Sequence, residues 1–427
     1  METTKAQENG AAAVKNEVAS RLASLSLSSS ALHADDNLGN DQDVAPPLHV
    51  STTFNYDKDP EALRVTASYG PGDPYPGHVY SRHTAPNTSR LEAILSSLLN
   101  GPSLTYSSGL SAFHAILVFL NPKRISIGEG YHGCHGVIEI HKKLTGLKKL
   151  DLNCPAEELE AGDIIHVETP LNPTGEARNL KAFAEKAHSR GAYLTVDATF
   201  APPPLQDPFL WGADIVMHSG TKYVGGHSDM LCGILSVNPA RAKEGWFDKL
   251  FEERLFLGSV MGSMEGWLGV RSIRTLELRV ERQSHNTGKL VEWLQAALHP
   301  EKEGASAIAT SEESKIVKAV LDKVVHASLQ EDDLKDGWLK KQMPIGFGPV
   351  FSIVMKTEKL ARYLPSKMLL FHHATSLGSV ASLIEWRTMT DSTVDKRLLR
   401  VSVGIEGWED LKVDFLESFK ALRPHIE

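Results

Sequence analysis

Lys222 stands in the stretch ADIVMHSGTKYVGGHSD (213–229), between an apolar lead-in of strand character, Ile215 to Met217, and the glycine pair Gly225 and Gly226. That pattern places the lysine on a loop at the end of a buried strand. Burial lowers the pKa of an ammonium and leaves a neutral amine able to condense with the carbonyl of an aldehyde cofactor. Ser219 and Thr221 flank it with hydroxyls of the kind that bind phosphate. The same stretch would also serve as a polar surface loop with an ordinary lysine, so the choice falls to the rest of the chain.

Tyr80 and Arg82 pair a phenol with a planar guanidinium suited to bidentate phosphate capture, though a lone Tyr-x-Arg reads as readily as a packed tyrosine beside a surface ion pair. The run LTYSSGLSAFHAILVFL suggests a strand (Leu104 to Tyr106), a small-residue turn and an apolar helix from Ser111. Unpaired N–H groups and the helix dipole at such a turn, around Gly109 and Leu110, favour an anion. Two β-branched strands, over 162–170 and 191–200, end in Glu168, Thr169 and Asn172 and in Asp197. A buried carboxylate needs a cation, which a protonated pyridine nitrogen would supply to Asp197. The alternative, an acid capping a following helix, is disfavoured by Pro202 to Pro204. His132, Cys134 and His135 lie on one glycine-rich loop with no partner cluster to close a tetrahedral site, so no metal is expected. Tyr131, which leads that loop, suits stacking on a flat ring.

A helical stretch, Leu180 to Arg190, separates the two β-branched strands. This is a βαβ unit, so a mostly parallel, doubly wound α/β sheet is expected, with ligands at the carboxyl ends of its strands. A helix is expected to follow Arg82, with Thr88 as its N-cap, and residues 346–355 read as a strand. The 427 residues suffice for two cores, and a net charge of −8 gives no reason to expect nucleic acid or membrane as partner. Three scattered cysteines, Cys134, Cys154 and Cys232, imply a reducing compartment, and cytoplasm follows. Residues 1–45 carry Val14, Val18, Leu22 and Leu25 at helical spacing but too many acids for a mitochondrial presequence, which suggests a disordered or subunit-wrapping arm.

Taken in order, YSR, SSGL, ETPLNP, VDATF and HSGTKYVGGHSD resemble the motifs of the Cys/Met-metabolism family of pyridoxal-phosphate enzymes, of fold type I, from about Ala45 to the C-terminus. The resemblance implies a pyridoxal-phosphate domain over 61–262, after an arm of residues 1–60, and a smaller α+β substrate domain over 263–427. It implies that Lys222 holds the cofactor covalently and shuttles protons, and that Asp197 keeps the pyridine nitrogen protonated. Ser219, Thr221 and the backbone of Gly109 and Leu110 would hold the phosphate, with Tyr80 and Arg82 reaching it from a neighbouring subunit. Tyr131 would stack on the ring and assist proton transfer, and Asn172 would sit near the phenolic oxygen. The α-carboxylate of an amino-acid substrate would meet Arg400, assisted by Ser376. A homo-oligomer follows, at least a dimer and by family habit a tetramer.

The sequence also departs from the family. Ala381 stands where an acid is frequent, an acid expected to read the distal amino group of cystathionine. Its loss favours γ-replacement on an O-acyl-L-homoserine, by a thiol or a carbon acid, over elimination from cystathionine. A non-catalytic subunit of the same fold is the third reading, which the intact Lys222, Asp197, Tyr131 and Arg400 oppose.

Overall fold

The computed structural model describes residues 25–38, 43–63 and 77–426. The amphipathic helix expected around Val14 to Leu25, and most of the Pro/Gly-rich loop before His78, lie outside them. Part of the segment read as an arm is docked: after a short helix, Leu27–His33, the fully buried Asp35 is held by Arg90 at 3.0 Å and Arg274 at 2.8 Å.

Seven strands form the larger sheet: β1 Ser103–Tyr106, β2 Arg124–Ile127, β3 Lys148–Asp151, β4 Ile164–Glu168, β5 Tyr193–Asp197, β6 Ile215–Ser219 and β7 Gly233–Val237. Their order is β1-β7-β6-β5-β4-β2-β3, parallel throughout except for β7, which runs antiparallel to both neighbours. Helices cover its faces, so β4, β5 and β6 are buried and mostly apolar, with interior His166 and Thr195 bonded to each other, and each ends in a polar residue. In register, Glu168 lies beside Asp197, and Asp197 beside Met217. The carboxyl ends of adjacent strands therefore deliver Glu168, Asp197 and Ser219 to one place, as expected for a doubly wound sheet.

A smaller sheet follows, in the order β10-β11-β12-β9-β8: β8 Leu321–Val325, β9 Val350–Met355, β10 His372–His373, β11 Leu383–Trp386 and β12 Leu398–Ser402. The helix Leu276–Leu298 links the two bodies. Leu276 and Val280 pack into the core around the helix Pro86–Leu98, while Leu290, Trp293 and Leu294 pack against the smaller sheet. No helix among the described residues is long and apolar enough to cross a membrane.

Local boundaries differ from expectation in three places. The helix expected from Thr88 begins at Pro86, whose fixed φ suits the first turn; its N-cap position is Ala85, without a side-chain cap. The helix expected from Ser111 begins at Gly109, because Ser108 caps it, accepting from the Ser111 N–H at 3.1 Å. The glycine-rich run after Tyr131 is not a loop but the start of a helix, His132–Thr145, which buries Cys134 in the core.

Candidate active site

The turn after β6 carries Lys222 into a cavity of about 640 Å³ between the two sheets. Gly109, Leu110, Tyr131, Asn172, Asp197, Ser219, Thr221, Lys222, Ser376 and Arg400 all line it. Ten of the twelve residues singled out from sequence are thus brought together by segments up to 291 positions apart (400 − 109). Tyr80 and Arg82 do not line it. Tyr80 is 45% exposed, pairs with Thr53 in an isolated bridge and lies under the Arg82 guanidinium.

One end of the cavity is built for an anion. Gly109 opens its helix directly against β6, where an added Cβ would sit 3.2 Å from Ser219 Cβ. The absence of a side chain lets the helix N-terminus and the Ser219 hydroxyl face the same space. Thr221 is more committed: its hydroxyl accepts from the Cys232 N–H at 3.0 Å and so fixes the turn to its neighbour.

The floor is acidic. Asp197 Oδ1 accepts from the Thr199 hydroxyl at 2.5 Å and the Thr199 N–H at 3.0 Å, and Thr199 Oγ1 in turn accepts from the Ser219 N–H at 2.8 Å. Burial holds the Asp197 carboxyl above its ordinary pKa, against the opposing pull of Thr199 and Lys222. Glu168 is likewise pushed up by burial and by Asp197, although its two oxygens accept from the Tyr131 N–H at 2.8 Å and the Asn172 N–H at 2.6 Å. A buried carboxylate with no cationic hydrogen-bond partner calls for a cationic ligand group.

The Lys222 ammonium has its pKa lowered to about 8, chiefly by burial and then by the Arg400 charge, with Glu385 and Asp197 opposing. Its Nζ donates to Ser376 Oγ at 2.7 Å. Ser376 holds a left-handed φ of 76°, unusual outside glycine, and that conformation turns its carbonyl onto Arg400 at 2.7 Å. Two residues on, Gly378 has φ +82° and passes so close to Lys222 that an added Cβ would lie 2.9 Å from its carbonyl carbon. Ser376, expected at a substrate carboxylate, therefore joins the lysine to the arginine.

Arg400, in β12, is buried; NH1 donates to Asn172 Oδ1 at 2.9 Å and NH2 to Glu385 Oε2 at 2.5 Å. Burial lowers its pKa to about 10, which leaves it a cation. Tyr131 stands on the cavity wall, 38% exposed, and partial desolvation of its phenol raises the pKa.

Sequence reading passed over Ser108, Thr199, Glu385 and Arg387. Ser108 and Thr199 had local signals, a serine before a helix-opening glycine and a threonine two residues after a strand-end aspartate. Glu385 and Arg400 face each other across β11 and β12, a pairing that only the register reveals. Arg387 follows at the start of a short 3-10 helix, Arg387–Met389, and carries no periodic signal. Ala381, which weighed between substrates, does not line the cavity.

The residues fit pyridoxal phosphate: a buried amine of lowered pKa, an anion-binding helix end, a tyrosine on the wall and a buried carboxylate lacking a cation. A model of the family described as Cys/Met metabolism PLP-dependent enzymes matches residues 28–420. Cystathionine beta-lyase of Lactococcus lactis subsp. cremoris (strain MG1363) is 33% identical over 80% of this chain and 88% of its own. Cystathionine gamma-lyase of Saccharomyces cerevisiae is 30% identical over 91% of this chain and 96% of its own. The crystal structure of metB from Corynebacterium glutamicum superposes with a TM-score of 0.78 at 26% identity, covering 94% of this chain and 99% of that one.

Proposed function

The chain belongs to the Cys/Met metabolism family of pyridoxal-phosphate-dependent enzymes, and from that premise we propose that it catalyses γ-replacement on an O-acyl-L-homoserine-type amino acid, with a thiol or carbon nucleophile entering at the γ-carbon. The state of the acids in and behind the cavity supports this reading. Asp197 is bound to Thr199, Glu168 to two backbone N–H groups and Glu385 to two arginines. Both lining acids, Asp197 and Glu168, already accept two hydrogen bonds each, which leaves them less available to a second ammonium such as the distal one of cystathionine.

Pyridoxal phosphate, when bound, supplies the electron sink that makes the α-proton of an amino acid removable. Lys222 would hold it covalently and, once freed, would take the α-proton; its lowered pKa keeps a useful fraction of the amine neutral near pH 7. Ser376 Oγ aims that amine, and Arg400 takes the α-carboxylate. Asp197 would keep the pyridine nitrogen protonated, the helix end at Gly109 and Leu110 with Ser219 and Thr221 would receive the phosphate, and Asn172 would serve the phenolic oxygen. The β-carbon would likewise lose a proton to the Lys222 amine, the acyl-oxy group would leave the γ-carbon as a carboxylate, and the nucleophile would bond there, its own proton leaving with the carboxylate and the α- and β-protons returning to carbon, with Tyr131 on the wall as a relay. Tyr80 and Arg82, which do not line their own cavity, fit a role at the phosphate of a second copy, so the reading includes a homo-oligomer of at least two chains and, by family resemblance, a tetramer. The division into arm (1–60), cofactor domain (61–262) and substrate domain (263–427), and a cytoplasmic setting, belong to the same reading.

Elimination from cystathionine or a related thioether is the second reading, favoured by the names of the two relatives. The test incubates holoenzyme with O-acetyl-L-homoserine, with and without thiols or β-keto acids, and separately with cystathionine. Consumption of the acyl ester only in the presence of a nucleophile, with a joined product by mass, is expected. Ammonia and an oxo acid from cystathionine alone would establish the lyase instead.

A further inference from the structure

Arg387 lies in the turn directly after β11, its side chain 4% exposed, and forms part of the cavity wall. NH1 donates to Glu385 Oε2 and to Thr390 Oγ1, each at 2.9 Å. Nε is buried without a partner, and the guanidinium makes no further hydrogen bond among the described residues. Asp391, the acid that follows in the chain, turns its oxygen to the Thr393 N–H and hydroxyl rather than to Arg387.

The neighbouring cation is in a different state. Arg400 has both terminal nitrogens engaged, by Asn172, Ser376 and Glu385. Glu385 cannot neutralise two guanidinium groups at once; one of its oxygens serves both, and the other accepts from Thr390 at 2.7 Å. The two buried arginines therefore share a single hydrogen-bonded carboxylate, with Asp391 acting on Arg387 only through space, and the donors still unused belong to Arg387. A buried guanidinium with idle N–H groups on a cavity wall awaits an acceptor, and a carboxylate matches its fork. Its charge is felt at Tyr131, the residue placed beside the substrate's reacting side chain.

We propose that Arg387 is a second anion-binding point of this cavity, separate from Arg400, that holds a carboxylate carried at the far end of the substrate's side chain or of the group joined to its γ-carbon. Arg387 would thus select ligands with two carboxylates, one on each arginine. This rests on reading the cavity as an amino-acid site, but not on replacement rather than elimination.

The test uses holoenzyme and two unreactive amino acids of matched length, L-2-aminoadipate, with a distal carboxylate, and L-norleucine, without one. Dissociation constants are read by calorimetry and by the change in cofactor absorbance. The wild type is expected to prefer aminoadipate by about tenfold or more, the worth of one charge-assisted hydrogen bond. In Arg387→Gln that preference should fall to near unity with norleucine binding unchanged, and Arg387→Lys should retain part of it. Equal weakening of both ligands in Arg387→Gln would place Arg387 at the α-carboxylate instead and overturn the proposal, as would a wild type without preference. Failure of the acyl-ester assay would leave this ratio readable, so the two readings fail separately.

Discussion

Replacing Lys222 by alanine is expected to lower turnover by roughly 10³-fold or more, because one side chain both anchors the cofactor and moves the α-proton. The fold should survive. Lys222 sits in a turn held by backbone bonds, its N–H donating to the Ser219 carbonyl at 3.1 Å and its own carbonyl accepting from Gly226 at 2.7 Å. Truncation removes a buried amine whose lowered pKa already marks a cost of keeping it charged there. Circular dichroism should therefore match the wild type while the absorbance band of lysine-bound cofactor vanishes. Retained turnover at more than about a tenth of wild type would exclude the lysine from the chemistry.

The second large effect is expected at Asp197. Asparagine is nearly isosteric and can keep the Thr199 N–H bond through its amide oxygen, but it cannot hold a proton on the pyridine nitrogen. Loss of that fixed charge should reduce turnover by roughly 10²- to 10³-fold, the usual worth of one preorganised electrostatic contact. Stability should move the other way. Without cofactor the Asp197 carboxyl is raised by burial, so the folded state disfavours its charged form at neutral pH and binds a proton more readily than the unfolded chain. That contribution destabilises increasingly as pH rises above the ordinary aspartate value, and Asp197→Asn removes it. Thermal unfolding of the cofactor-free variant at pH 7 should occur at or above the wild-type temperature, alongside the fall in turnover. A variant equally active, or one that loses activity only by unfolding, would contradict the assigned role.

Lys222, Asp197, Ser219 and Gly109 were legible because each is fixed by its own short stretch. A strand that ends in a polar residue announces where that residue emerges, and a doubly wound sheet sends all such ends to one side. Arg400 stood out only through the family resemblance and without partners, since its place inside β12 and its contacts to Asn172 and Glu385 depend on segments far apart in sequence. Arg387 shows the limit most clearly. Nothing in WRTMT distinguishes it from a surface arginine, and only the closing of the smaller sheet over the cavity buries it. Ala381 shows the converse: a position weighted heavily in sequence does not line the cavity of its own chain. The contacts of Ser376 within the chain, Lys222 at its hydroxyl and Arg400 at its carbonyl, could not be read from sequence, because they depend on its left-handed backbone.

The most direct measurement of the central claim, that this cavity holds pyridoxal phosphate on Lys222, is borohydride reduction of the purified holoenzyme followed by protease digestion and peptide mass spectrometry. The account predicts one reduced cofactor per chain, carried by the peptide that contains Lys222. A cofactor mass on another lysine, or none on a protein that still turns over amino acids, would contradict it.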